Sequence, residues 1–137
     1  MKPKRILMVD DDPDYAAGTR LILARLGFEF IHAPNPEQGL SLLDTVAPDL
    51  IILDVVMNNK TEGFLFAKKL RSSPAYARFA RTPILVLTGM RGQQGYAFSV
   101  KQTDAMFLPC DEFLEKPVKP EALLKTVEEL LRMQSEP

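Results

Sequence analysis

Short apolar runs alternate along this chain with longer segments of helical period, and that alternation confines it to an α/β fold on a largely parallel sheet. Five such pairs can be counted. The strand candidates are Arg5 to Val9, Phe28 to Ala33, Leu50 to Leu53, Ile84 to Leu87 and Glu112 to Leu114. Most are too short for anything but strands. At 137 residues the chain is expected to form one domain, 1–137, around one core.

Asp12 can cap a first helix, with Pro13 at its first position and Tyr15, Thr19, Ile22, Leu23 and Leu26 on one face before Gly27. Asn35-Pro36 opens the second, turning Leu40, Leu43 and Val46 inward. The third is expected from about Glu62 to Arg71, with Phe64, Ala67 and Leu70 on its inner side. The last opens at Pro120 and carries Leu123, Leu124, Val127, Leu130 and Leu131, a stripe whose ordinary meaning is core packing. Between Gly89 and Asp111 the glycines Gly92 and Gly95 and the alternation of Tyr96, Phe98 and Val100 blur the fourth helix. No linker leads to a second domain, so a lone module is expected.

A net charge of -1 leaves no positive excess for a nucleic-acid backbone, and direct nucleic-acid binding is not expected. The single cysteine, Cys110, cannot form an internal disulfide, and the amino end lacks the apolar stretch of a secretory signal. A cytoplasmic protein fits these features. No apolar run approaches the ~20 residues of a membrane-spanning helix.

In an open parallel sheet the functional crevice lies beyond the carboxyl ends of the strands. Polar residues directly follow four of the apolar runs: Asp10-Asp11-Asp12, Asp54, Thr88-Gly89 and Lys116-Pro117. Singly, each has a plain structural meaning, as a helix cap, a strand end, a turn or a solvated charge. Together they converge on one rim. Two carboxylates about 4 Å apart at an effective dielectric near 20 repel by about 4 kcal/mol, so Asp10, Asp11 and Asp54 cannot all stay ionised cheaply without a cation. All the available ligands are hard oxygens, which points to Mg²⁺ rather than zinc. His32, the sole histidine, is expected at the surface. A carboxylate beside Mg²⁺, with a lysine and a hydroxyl at hand, is a set of parts for phosphoryl transfer to aspartate. Asp54 is then the nucleophile, Asp11 and Asp10 the metal ligands, Lys116 the partner of a phosphate oxygen and Thr88 a hydrogen-bond donor to it.

The segments Ile6-Leu7-Met8-Val9-Asp10-Asp11-Asp12, Leu50-Ile51-Ile52-Leu53-Asp54-Val55-Val56-Met57, Pro83-Ile84-Leu85-Val86-Leu87-Thr88-Gly89 and Phe113-Leu114-Glu115-Lys116-Pro117 resemble, in this order, the receiver-domain motifs of two-component response regulators. The resemblance implies a flavodoxin-like, doubly wound, five-stranded parallel sheet of order 2-1-3-4-5 with five helices. It implies phosphorylation of Asp54 by a histidine kinase or histidine phosphotransfer protein, a further metal ligand in the backbone carbonyl of Val56, and a cis peptide before Pro117. Thr88 and Phe113 take the place of the switch pair, moving on phosphorylation and altering the surface of the fourth helix, fifth strand and fifth helix for a downstream protein effector. Dimerisation is left open.

Three features depart from the family pattern. Asn58 stands where proline is usual, one extra residue separates Asp54 from Gly63, and the interval from Thr88 to Lys116 is long. Val56 and Met90, where side chains tend to govern attack of water, are apolar, so slow self-dephosphorylation is expected. Two other functions use parts of the same list. A phosphatase of the haloacid dehalogenase type would take Asp10 as nucleophile and Asp12 as acid, but leaves Asp54 unexplained. A passive binding module would need none of the reactive set.

Overall fold

The computed structural model describes residues 3–54, 60–88 and 111–135, with the backbone alone at 60–64, 88, 134 and 135. The elements run β1 (Arg5–Val9), α1 (Pro13–Ala24), β2 (Glu29–Ala33), α2 (Pro36–Val46), β3 (Leu50–Asp54), α3 (Lys60–Ser72), a 3-10 helix (Pro74–Phe79), β4 (Ile84–Thr88), β5 (Glu112–Glu115) and α4 (Pro120–Ser135). Each expected strand is present, shifted by no more than one residue at either end. The expected fourth helix, between β4 and β5, falls in residues 89–110 and lies outside the described residues. Among the described residues there are five helical segments, one of them the 3-10 helix, which the sequence pattern did not suggest.

The strands form one parallel sheet of order β2-β1-β3-β4-β5. Parallel sheets are covered on both faces, so their strands read as continuous apolar runs. That is the case for Ile6 to Val9, Leu50 to Leu53 and Ile84 to Leu87, all fully buried. Because side chains alternate along a strand, the two faces draw on different residues. Leu7, Val9, Ile51, Leu53, Ile84 and Val86 pack with Leu43 of α2 and Phe66, Ala67 and Leu70 of α3. Ile6, Met8, Leu50, Ile52, Leu85 and Leu87 pack with Ala16 and Leu23 of α1 and Leu123, Val127, Leu130 and Leu131 of α4. The sheet is thus doubly wound.

Local chemistry sets the helix ends. Asp12 accepts the amides of Asp14 and Tyr15, and Asn35 accepts that of Gln38, each ahead of a proline in the first turn. Gly39 lets α2 approach β1 closely, since a Cβ there would lie 2.9 Å from Val9 Cγ2 and 3.3 Å from Phe66 Cε1.

One expectation about the core needs correction, and the inner side of α3, where Ala67 and Leu70 are buried as expected, gains a member. Leu26 is 42% exposed, because α1 ends at Ala24 and the chain turns through Gly27 (φ +80) before it can bury that side chain. Among the described side chains of α3 the largest buried one is Phe66, which the expected stripe passed over; Phe64's side chain lies outside the described atoms.

Candidate functional site

The sheet register alone brings the reactive residues together. Val9 pairs with Leu53, so Asp10, one step beyond β1, stands level with Asp54 at the end of β3. Asp54 pairs with Leu87, which leaves Thr88 one step further along the neighbouring strand. Thr88 pairs with Glu115, and Lys116 follows directly. Four strand ends thus deliver Asp10, Asp54, Thr88 and Lys116 to one rim, with Asp11 beside them on the turn into α1.

Asp10 is fully buried and Asp54 is 3% exposed, whereas Asp11 is open to solvent. One carboxylate oxygen from each of the three lies within 4.8 Å of the others. Lys116 Nζ stands 3.2 Å from Asp54 Oδ2, the lysine about a fifth exposed. The Lys116–Pro117 peptide is cis.

Asp10 is the electrostatically stressed member of the group. Its Oδ1 accepts the Asp12 amide at 2.8 Å, but its Oδ2 is buried and finds no hydrogen-bond donor among the described residues. Burial, reinforced by the neighbouring Asp54 carboxylate, pushes its pKa from 3.8 up to about 7; the Asp12 amide and Lys116 oppose the shift.

An unsatisfied buried carboxylate oxygen, facing two further carboxylates, is the arrangement a hard divalent cation would satisfy, and the donors are all oxygens. The residues present therefore fit Mg²⁺. Val56, whose carbonyl the resemblance adds to the ligand set, lies outside the described residues, as do Asn58 and Met90. Thr88 is placed by its backbone alone. Phe113 sits on β5, half-buried against the α2 and α3 side of the sheet.

Two residues at the site escaped sequence reasoning. His32, expected at the surface, is half-buried on β2, and its Nε2–H donates to the Asp10 carbonyl at 2.6 Å. Met8 pairs with His32 across the sheet, a register that no local signal reveals. Tyr15, read as a core-facing helix residue, places its ring centroid 4.1 Å from Lys116 Nζ. Its position in the first turn after the Asp12 cap was the available clue.

Comparison with known proteins gives a consistent result. The response regulator receiver domain family matches residues 6–128. The DNA-binding dual master transcriptional regulator RpaA of Synechocystis is 32% identical over 93% of this chain and 49% of its own length. A 14.6 kDa protein of Leptolyngbya boryana is 32% identical over 90% of this chain and 87% of its own. The chemotaxis protein CheY4 of Vibrio cholerae superposes with a TM-score of 0.76 at 28% identity, covering 94% of this chain and 99% of that one. The chain spans about half the length, or less, of the first curated relatives it matches. Among the described residues no helix is long and apolar enough to cross a membrane.

Proposed function

The chain belongs to the response regulator receiver domain family of two-component signalling, and from that premise we propose that it is a phosphorylation switch whose acceptor is Asp54. One observation carries the reading. Asp54 lies almost fully buried at the end of β3, with the Lys116 ammonium at 3.2 Å and two more carboxylates within 4.8 Å.

In the proposed reaction an Asp54 oxygen attacks the phosphorus of a phosphohistidine on a histidine kinase or histidine phosphotransfer protein. The new O–P bond forms as the P–N bond breaks, and the imidazole departs with the bonding pair. Asp10, Asp11, Asp54 and the Val56 carbonyl would hold Mg²⁺, which supplies charge neutralisation for the transferring group. Lys116, already at Asp54, can shift its ion pair to a phosphoryl oxygen as the carboxylate becomes an acyl phosphate. Thr88, one step beyond Leu87, is suited to donate a hydrogen bond to the same group. Asp54 and Asp10 are shielded from bulk water, and this burial strengthens their electrostatic interactions.

Movement of Thr88 and Phe113 would then convey the state of Asp54 to the surface that includes β5 and the C-terminal helix, for a downstream protein effector. Dimerisation on activation is one form this output can take. Residues 1–137 are proposed to act as one receiver unit, a reading supported by the family match over residues 6–128, and to do so in the cytoplasm. Membership of the receiver family leaves the phosphatase alternative without support.

Incubation with Mg²⁺ and a small acyl phosphate, followed by intact-mass measurement, tests the proposal. A metal-dependent gain of one phosphoryl group, absent in Asp54→Asn, is expected. No adduct in folded protein would favour the passive binding module, and an adduct retained by Asp54→Asn would place the acceptor elsewhere.

A further inference from the structure

The receiver reading gives Tyr15 no task, yet its ring lies against the site. Lys116 Nζ stands 4.1 Å from the ring centroid and 3.2 Å from Asp54 Oδ2, so the ammonium is held between an aromatic face and a carboxylate. The start of α1 builds this placement. Asp12 Oδ1 accepts the Tyr15 amide at 3.2 Å, and Thr19 Oγ1 donates to the Tyr15 carbonyl at 3.1 Å. The half-buried side chain also packs against the α1 and α4 side of the core.

A lysine reaches its target on a flexible stem, and ordering that stem costs rotamer entropy. A ring face attracts a cation through its quadrupole while adding no charge. That distinction matters here, because the rim already carries Asp10, Asp11 and Asp54. Another carboxylate would hold Lys116 but deepen their mutual repulsion, whereas a neutral ring holds it without that cost. The phenol stays neutral, since burial and then Asp10 and Asp54 push its pKa upward.

We propose that Tyr15 is a positioning residue for Lys116: its ring face keeps the ammonium over Asp54, ready for an incoming phosphoryl group. The inference rests on the receiver reading above. It requires the ring and not the hydroxyl, so Tyr15→Phe retains the effect and Tyr15→Leu, apolar but without a π face, loses it.

Two measurements on the full chain test it. In the first, phosphorylation by a small acyl phosphate is followed across donor and Mg²⁺ concentrations. The maximal rate is expected to stay within about twofold in Tyr15→Phe and to fall about three- to tenfold in Tyr15→Leu, with Mg²⁺ affinity unchanged in both. Equal rates in wild type and Tyr15→Leu would overturn the inference, as would a loss in Tyr15→Leu that tracked weakened Mg²⁺ binding. In the second, the Lys116 ε-methylene protons are observed by NMR without donor or metal. Upfield ring-current shifts are expected in wild type and Tyr15→Phe and should vanish in Tyr15→Leu; unshifted protons in wild type would overturn the contact. Failure of the wild type to take up phosphate would count against the receiver reading, and the NMR shifts would still decide whether Tyr15 positions Lys116.

Discussion

Arg71 Nη2 donates to Asp111 Oδ2 at 2.6 Å across 40 residues of sequence, and the same oxygen accepts the Ile84 amide at 2.7 Å. The other arm of the guanidinium reaches the carbonyls of Ala80 and Thr82. Together these bonds tie the end of α3 to the entry of β4 and the start of β5. They anchor the strands that carry Thr88 and Lys116 at the opposite end.

This relationship separates charge from hydrogen bonding. The pair is partly exposed, at 22% and 43%, so its ionic part should contribute little. Asp111→Asn, which keeps an acceptor for Ile84, is expected to cost under about 1 kcal/mol. Asp111→Ala leaves the part-buried amide without its acceptor and is expected to cost about 1–2 kcal/mol. Urea unfolding of both variants checks this; equal losses would mean that the amide bond is not the important one.

Asp10 predicts an unusual dependence of stability on pH in metal-free protein. Its folded pKa of about 7 exceeds the ordinary 3.8, chiefly through burial, so between these values the native state holds a proton that the unfolded chain has released. Stability from this group is present in full below pH 3.8 and declines, by at most about 1.4 kcal/mol per pH unit, as pH rises towards 7. Asp10→Asn should remove that decline and exceed the wild type by about 2–4 kcal/mol at pH 8 without metal. Mg²⁺, which needs the ionised carboxylate, should stabilise the wild type more at pH 8 than at pH 6. Parallel pH profiles for the two proteins would contradict this account.

Gly39 offers a test of packing. An added Cβ would meet Val9 Cγ2 at 2.9 Å, and Val9 is a fully buried, β-branched residue with no room to turn aside. Gly39→Ala gains about 1 kcal/mol of helix propensity but incurs an overpacking cost of about 1–3 kcal/mol. A net loss of about 1 kcal/mol is expected in thermal or urea unfolding, and a stabilised variant would show that α2 can shift outward freely.

Much of the fold was legible because its signals are local. Buried parallel strands need unbroken apolar runs, so Ile6 to Val9, Leu50 to Leu53 and Ile84 to Leu87 declare themselves. Caps such as Asp12-Pro13 and Asn35-Pro36 mark helix starts within a few residues. Leu26 was misplaced because its apolar character suggested a buried face, whereas the turn through Gly27 decides its exposure. The 3-10 helix at Pro74–Phe79 was missed because its segment has neither clear helical period nor alternation.

The candidate site divides in the same way. Sequence alone determined that Asp10, Asp11, Asp54, Thr88 and Lys116 follow the carboxyl ends of apolar runs, and strands that all point the same way in a parallel sheet bring those ends to one rim. Only the tertiary structure decided that Asp10 Oδ2 is buried without a donor among the described residues, that His32 holds the Asp10 carbonyl and that Lys116 lies between Tyr15 and Asp54. Those facts depend on sheet register and on the angle at which α1 leaves β1. Both are set by contacts between residues distant in sequence, where no local pattern records them.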